Sequence, residues 1–167
     1  MKLKELMVDT KLAWIEFPGC DGFEIEVANL SRKELVSLRK RCLKTTFDRK
    51  TRQAQEELDD KKFLIEFTTA TIKNWRGLKL KHLEDLILVD LGDNDPDSEL
   101  EYNLDNAIEL VENSTEFDNW VNEVVFDLAN FRGGPEGGAM EETGTVAKKQ
   151  PSKNDKGSVS GDDESTG

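Results

Sequence analysis

Trp14-Ile-Glu-Phe-Pro-Gly-Cys-Asp-Gly-Phe-Glu-Ile-Glu-Val27 is the stretch on which the fold turns. Its second half alternates. Phe23, Ile25 and Val27 fall on one face and Glu24 and Glu26 on the other, the period-two pattern of a strand with one buried side. Trp14–Phe17 is short, aromatic and β-branched. Between the two runs, Pro18 to Gly22 supplies turn chemistry, and Asp21-Gly22 tolerates positive φ. The stretch predicts a β-hairpin.

Helical signals follow at once. Ser31-Arg-Lys-Glu34 is a capping box, and Leu30 and Leu35 around it form the matching hydrophobic staple. Leu35, Leu38 and Cys42 then share one face. Arg32, Lys33, Arg39, Lys40 and Lys44 occupy the other. A second helix is expected from about Ala54 to Trp75, with Leu58, Ile65, Thr69 and Ile72 near one face and Leu64 and Phe67 on its flank. Gly77 is placed to end it in a left-handed cap. A shorter apolar segment, Leu83 to Leu91, precedes Gly92. Asp93 to Glu99 reads as a loop. Asn103 caps a helix containing Ala107, Ile108 and Val111. Ser114 caps the last one, where Phe117, Trp120, Val121, Val124, Leu128 and Phe131 give the clearest amphipathic run in the chain. From Arg132 onward the composition shifts to Gly, Ser, Thr, Lys and acids without a single aromatic residue, so 132–167 reads as a disordered tail.

The expected fold is therefore α+β and mainly α-helical. An N-terminal hairpin over about 12–28 packs on a small helix bundle over about 31–131. Residues 1–131 form one domain, and the tail follows.

Composition narrows the function. The chain has 167 residues, room for one ordinary domain, with 36% hydrophobic and 35% charged residues. It carries 23 Lys+Arg against 35 Asp+Glu, a net charge of −12. Such a chain is repelled as a whole by phosphate backbones and anionic membranes. Cys20 and Cys42 are too few for a disulfide framework or a structural zinc site, and read as reduced thiols of a cytosolic protein. The start, MKLKELMVDTK, has no apolar core of a signal peptide, and no apolar run is long enough to span a membrane.

Catalytic signals are weak. The single histidine, His82, sits among Lys79, Lys81 and Glu84 with no triad or metal partners, and reads as an ordinary half-exposed side chain. Cys20 lies in the hairpin turn, a place where a thiol can be exposed; without a lowered pKa it is only a turn residue. Asp93, Asp95 and Asp97 have the opening spacing of a calcium loop, but Pro96, Ser98 and Leu104 break the pattern where glycine and a bidentate Glu are required. Gly133-Gly134 and Gly137-Gly138 have no strand before them or helix after them, so they are linker glycines and not a phosphate cradle. No cofactor is implied.

Charge is the informative feature. Arg32 to Arg52 hold nine of the 23 basic residues, while no basic residue lies between Lys81 and Arg132, a span with fifteen acids. The chain is electrically two-ended. Nucleic acid would explain only the basic end, and no DNA-binding module is present. Head-to-tail self-association or a charged protein partner explains both. The candidate protein-binding residues are Arg39, Lys40, Arg49, Lys50, Arg52, Trp75 and Arg76. Thr46-Phe-Asp-Arg-Lys-Thr-Arg-Gln53 is expected to be the polar start of the second helix. Trp14, Trp75 and Trp120 are interface anchors or core residues, with the core favoured for Trp120.

The order of elements resembles the small tail assembly chaperones of long-tailed bacteriophages, over about Leu12 to Phe131. The parts that carry the resemblance are Ile72-Lys-Asn-Trp-Arg-Gly-Leu78 and Tyr102-Asn-Leu-Asp-Asn-Ala-Ile108, in that order and spacing. These are fold-shaping residues, not a catalytic signature. The resemblance implies a non-enzymatic protein of the host cytoplasm that binds the tape-measure protein, helps recruit tail-tube subunits and is absent from the finished virion. In such proteins a ribosomal frameshift near the gene's end often adds a second domain, and Ala147-Lys148-Lys149 is compatible with a slippery run of adenines. Two other classes stand beside this one: a structural protein retained in the virion, and a nucleic-acid-binding accessory protein using residues 32–52.

Overall fold

The computed structural model describes residues 1–8 and 11–133. Of the expected tail, 132–167, everything after Gly133 lies outside the described residues, the frameshift site included. The fold is α+β, and more of the described residues are helical than in strands.

The hairpin forms as the alternation requires. Strand β1 (Leu12–Glu16) pairs antiparallel with β2 (Glu24–Ala28), Ile15 facing Ile25 and Trp14 facing Glu26. The turn is closed by Phe17 N–H donating to the Phe23 carbonyl, and the left-handed positions fall on Gly19 and Gly22, not on Asp21. Phe23, Ile25 and Val27 are fully buried. The short α1 (Leu3–Leu6) precedes this hairpin, and α2 (Arg32–Arg41) follows it. Its box is formed as read: the Ser31 hydroxyl accepts from Glu34 N–H, and the Glu34 carboxylate accepts from Ser31 N–H. Leu38 and Cys42 are buried beneath it.

The helix expected from about Ala54 to Trp75 is confined to α3 (Asp60–Thr71): strand β3 (Leu43–Asp48) and strand β4 (Gln53–Leu58) precede it, and strand β5 (Ile72–Arg76) follows it. β3 and β4 form a separate two-stranded sheet. β5 adds to the far side of β2, giving a three-stranded antiparallel sheet in the order β1-β2-β5. Leu58 and Ile72 both lie in strands, so the face they share with Ile65 and Thr69 is not the helix's buried face, and Ile65 and Thr69 are exposed. The face that is buried carries Phe67, Thr68 and Thr71. Asp59 caps α3 by accepting from Lys62 N–H.

Gly77 does hold the left-handed conformation, at φ +72°, but it ends a strand rather than a helix. A Cβ there would overlap the backbone carbonyl of Gly22. Glycine thus lets two turns touch. Helix α4 (Leu80–Leu86) comes next. The acidic loop then doubles back: Leu80 and Lys81 N–H donate to the Ser98 and Pro96 carbonyls, and Leu100 N–H donates to the Leu78 carbonyl at 2.7 Å.

Helices α5 (Leu104–Asn113) and α6 (Thr115–Phe126) have the caps expected of them, Asn103 and Ser114. The amphipathic run to Phe131 is not one helix. It breaks at Asp127, whose carboxylate accepts from Ala129 N–H and starts a 3-10 turn, Leu128–Phe131. The break leaves Leu128 exposed and returns Phe131 to the core. An aromatic cluster of Phe17, Phe23, Phe117 and Trp120 joins the sheet to α6, with ring centroids 5.1 to 6.2 Å apart. No helix among the described residues is long and apolar enough to cross a membrane.

Candidate protein-binding surfaces

The groups best suited to chemistry are turned inward. Cys20 is buried despite its place in the hairpin turn. Burial pushes its thiol pKa up, and the carboxylates of Asp85, Glu116 and Asp21 push it further. Cys42 is also buried, and burial raises its thiol above the ordinary value. His82 is buried rather than half-exposed, and its Nδ1 accepts the Lys79 N–H at 3.2 Å. It caps α4. The acidic loop spends its carboxylates locally: Asp95 accepts from Asp97 N–H, and Asp97 pairs with Lys81 at 2.8 Å, which holds its carboxyl below the usual range. No cluster of His, Cys, Asp and Glu with metal-site geometry occurs among the described residues.

The seven residues singled out from the sequence fall in three places. Arg49, Lys50 and Arg52 form the tip of the β3–β4 hairpin. This places TFDRKTRQ across a strand end, a turn and a strand start instead of a helix start. Asp48 builds the turn: its carboxylate accepts Lys50 N–H at 2.8 Å, and its carbonyl accepts Arg52 N–H at 2.8 Å. The bond from Lys50, with help from Thr51, holds the Asp48 carboxyl below its ordinary pKa. Arg52 takes a positive φ of 56°, the position a glycine commonly fills. Register puts Leu43, Phe47, Ala54 and Leu58 on one face of this arm. Phe47 remains 63% exposed and Leu43 43% exposed. A two-stranded hairpin of this kind is marginal by itself in water. Its root is held by Asp59 N–H donating to the Cys42 carbonyl at 2.7 Å.

Arg39 and Lys40 lie exposed on α2. The Arg39 guanidinium approaches the Phe63 ring at 6.0 Å. Trp75 and Arg76, adjacent in β5, point to opposite sides of the sheet. Trp75 is buried, edge-on to Tyr102 at 5.2 Å, and its indole N–H donates to the Leu100 carbonyl at 2.8 Å. It serves the core. Arg76 lies on the outer face, where it pairs with Glu24 and covers the Trp14 ring at 4.3 Å.

Sequence reasoning missed a fourth surface. Met7, Val8 and Lys11, the outer side of α2, the junction of α3 with β5 and the 3-10 turn line a groove of about 920 Å³. Its components are scattered between residues 7 and 132, so no local pattern signals it.

The segments that carry the resemblance, 72–78 and 102–108, meet in space. Trp75 packs on Tyr102, the Tyr102 hydroxyl donates to the Ile72 carbonyl at 3.0 Å, and Ala107 is fully buried nearby in the same core. No protein-family model, curated protein or solved structure matches this chain.

Proposed function

We propose that this protein is a non-enzymatic tail assembly chaperone of a long-tailed bacteriophage, which binds the tape-measure protein and keeps it soluble until the tube assembles around it. The observation that carries the reading is the junction between residues 72–78 and 102–108. The two segments of the resemblance are distant in sequence, yet Tyr102 packs on Trp75 and donates its hydroxyl to the Ile72 carbonyl. Residues that shape a fold together are what a family signature without catalytic groups consists of. The protein's own groups agree with a binding role. The thiols and the imidazole are buried, while charge is concentrated on an exposed arm and around an open groove.

On this reading the protein acts in the host cytoplasm and leaves before the virion is complete. Tail-tube subunits are a further partner. The arm, with Arg49, Lys50 and Arg52 at its tip, is the surface for protein contacts, including contacts with further copies of the chain. Co-expression with the tape-measure protein of the same genome, followed by a pull-down and a sizing column, tests the proposal. A soluble complex is expected where the tape-measure protein alone is insoluble. Changing Arg49, Lys50 and Arg52 together to Glu should weaken client capture or self-association. A tape-measure protein that stays insoluble and unbound would remove the reading, and detection of the protein in purified virions would replace it with a structural role.

A further inference from the structure

The groove between α2 and the 3-10 turn has an unusual charge for this molecule. The chain carries −12 overall, yet the groove is rimmed by Lys11, Lys33, Arg41, Lys73 and Arg132. Glu34 is the one carboxylate lining it among the described residues. Only Arg41 makes an ion pair there, with Glu66 at 3.2 Å; the other four cations make none among the described residues. Between these charges the surface is apolar. Val8 is 64% exposed and Leu128 is 55% exposed, and both stand over buried Leu30, Leu38 and Phe131.

We infer that this groove is a docking site for an acidic amphipathic helix of a protein partner, its apolar stripe on Val8 and Leu128 and its carboxylates on the cationic rim. Resting on the chaperone reading, the partner is a segment of the tape-measure protein. Helix-in-groove recognition needs this combination of apolar floor and charged rim. Most of the lining is side chains of α2, the 3-10 turn and the segments beside them, and of the strands only Lys73 of β5 reaches it, which favours a helix over an extended peptide. Nucleic acid fits poorly: the floor is aliphatic, its aromatic ring Phe131 is buried, and bases would have nothing to stack on. A second copy of the chain does not supply the helix. Its acidic helices α5 and α6 already bury their apolar faces through Leu110, Val111, Phe117, Val121 and Val125. The chain's own segment 134–167 is no better suited, since its larger apolar residues, Met140, Val146 and Val159, are not at helical spacing.

The test uses the full chain and a fluorescent peptide of about 18 residues, with Leu at helical spacing and Glu elsewhere. Its controls are the same peptide with Lys for every Glu, and a single-stranded DNA of similar length. Binding of the acidic peptide alone is expected. Lys33→Glu, Lys73→Glu and Arg132→Glu combined should weaken it by about tenfold or more. Leu128→Asp, at an exposed position, should do the same, while the Glu substitutions at 49, 50 and 52 should leave it intact. Equal binding of the basic peptide, preferential binding of DNA, or indifference to the groove variants would overturn the inference. So would a gain of about tenfold on deleting residues 134–167, which would make the chain's own tail the occupant. Pull-downs separate the two levels. Tape-measure protein captured equally by wild type and triple variant sinks the groove assignment and leaves the chaperone standing. Groove-dependent peptide binding without any capture of tape-measure protein sinks the chaperone and leaves the groove.

Discussion

Two antiparallel hairpins of similar length stand in this molecule on different terms. The first, β1–β2, is the centre of the fold: its apolar face is sealed by α6 and by the aromatic cluster, and β5 completes its open edge. The second, β3–β4, has equally regular pairing and almost nothing covering it. Ladder hydrogen bonds alone contribute little net stability, because water offers the same bonds to the unfolded strand. What separates the two is burial of one face. A hairpin left with Phe47 and Leu43 in solvent is held by its turn and its root, and it is free to give that face to something else.

The largest effect should come from the junction that completes the first sheet. Trp75→Ala removes a buried indole, its contacts with Phe23 and Tyr102 and its bond to Leu100, and should cost about 3–5 kcal/mol in urea unfolding. A cost similar to that of a surface change would mean β5 is not integral to the sheet. Gly77→Ala should follow at about 3 kcal/mol, because it combines a left-handed backbone with a collision against Gly22.

Alkaline pH should act on the core in the same direction. Burial raises the pKa values of Cys20, Cys42 and Tyr102. Groups with raised folded-state pKa values favour folding fully below their unfolded values, and the advantage is lost as pH rises through the folded ones. Stability should therefore be flat around neutrality and fall above the ordinary thiol pKa of 9.0. Unfolding curves at pH 7.5 and pH 10 that coincide would contradict the burial of these groups. The smallest effect belongs to the arm. Phe47→Ser should change global stability by no more than about 0.5 kcal/mol, as an exposed substitution. A large loss would show that the arm is packed and not available.

The same contrast explains what the sequence could reveal. Patterns that are local and satisfied locally were readable: the alternation of Phe23, Ile25 and Val27, the Ser31–Glu34 box, the Asn103 and Ser114 caps. The arm was not. Gln55, Glu56, Glu57 and Leu58 are good helix formers, and only their pairing with Lys44, Thr45, Thr46 and Leu43 across the turn makes them a strand. Trp75 was misplaced for a related reason: a helix that stops at Thr71 passes into a strand without a glycine or proline to mark the change. His82 looked half-exposed because its neighbours in sequence are charged, whereas in the fold it is buried and its ring accepts the Lys79 N–H. The basic surfaces were half legible. Composition located the charge between residues 32 and 52, but assembling Lys11, Lys73 and Arg132 beside Lys33 needed the fold.

Hydrogen exchange of the free protein and of its complex with the tape-measure protein tests the central claim most directly. In the free protein, amides of β1, β2 and β5 should exchange slowly and those of β3 and β4 fast. In the complex, protection should rise in the arm and in the segments around the groove, with the sheet unchanged. An arm already as protected as the sheet before binding, or a complex that forms without altering arm or groove, would contradict the account.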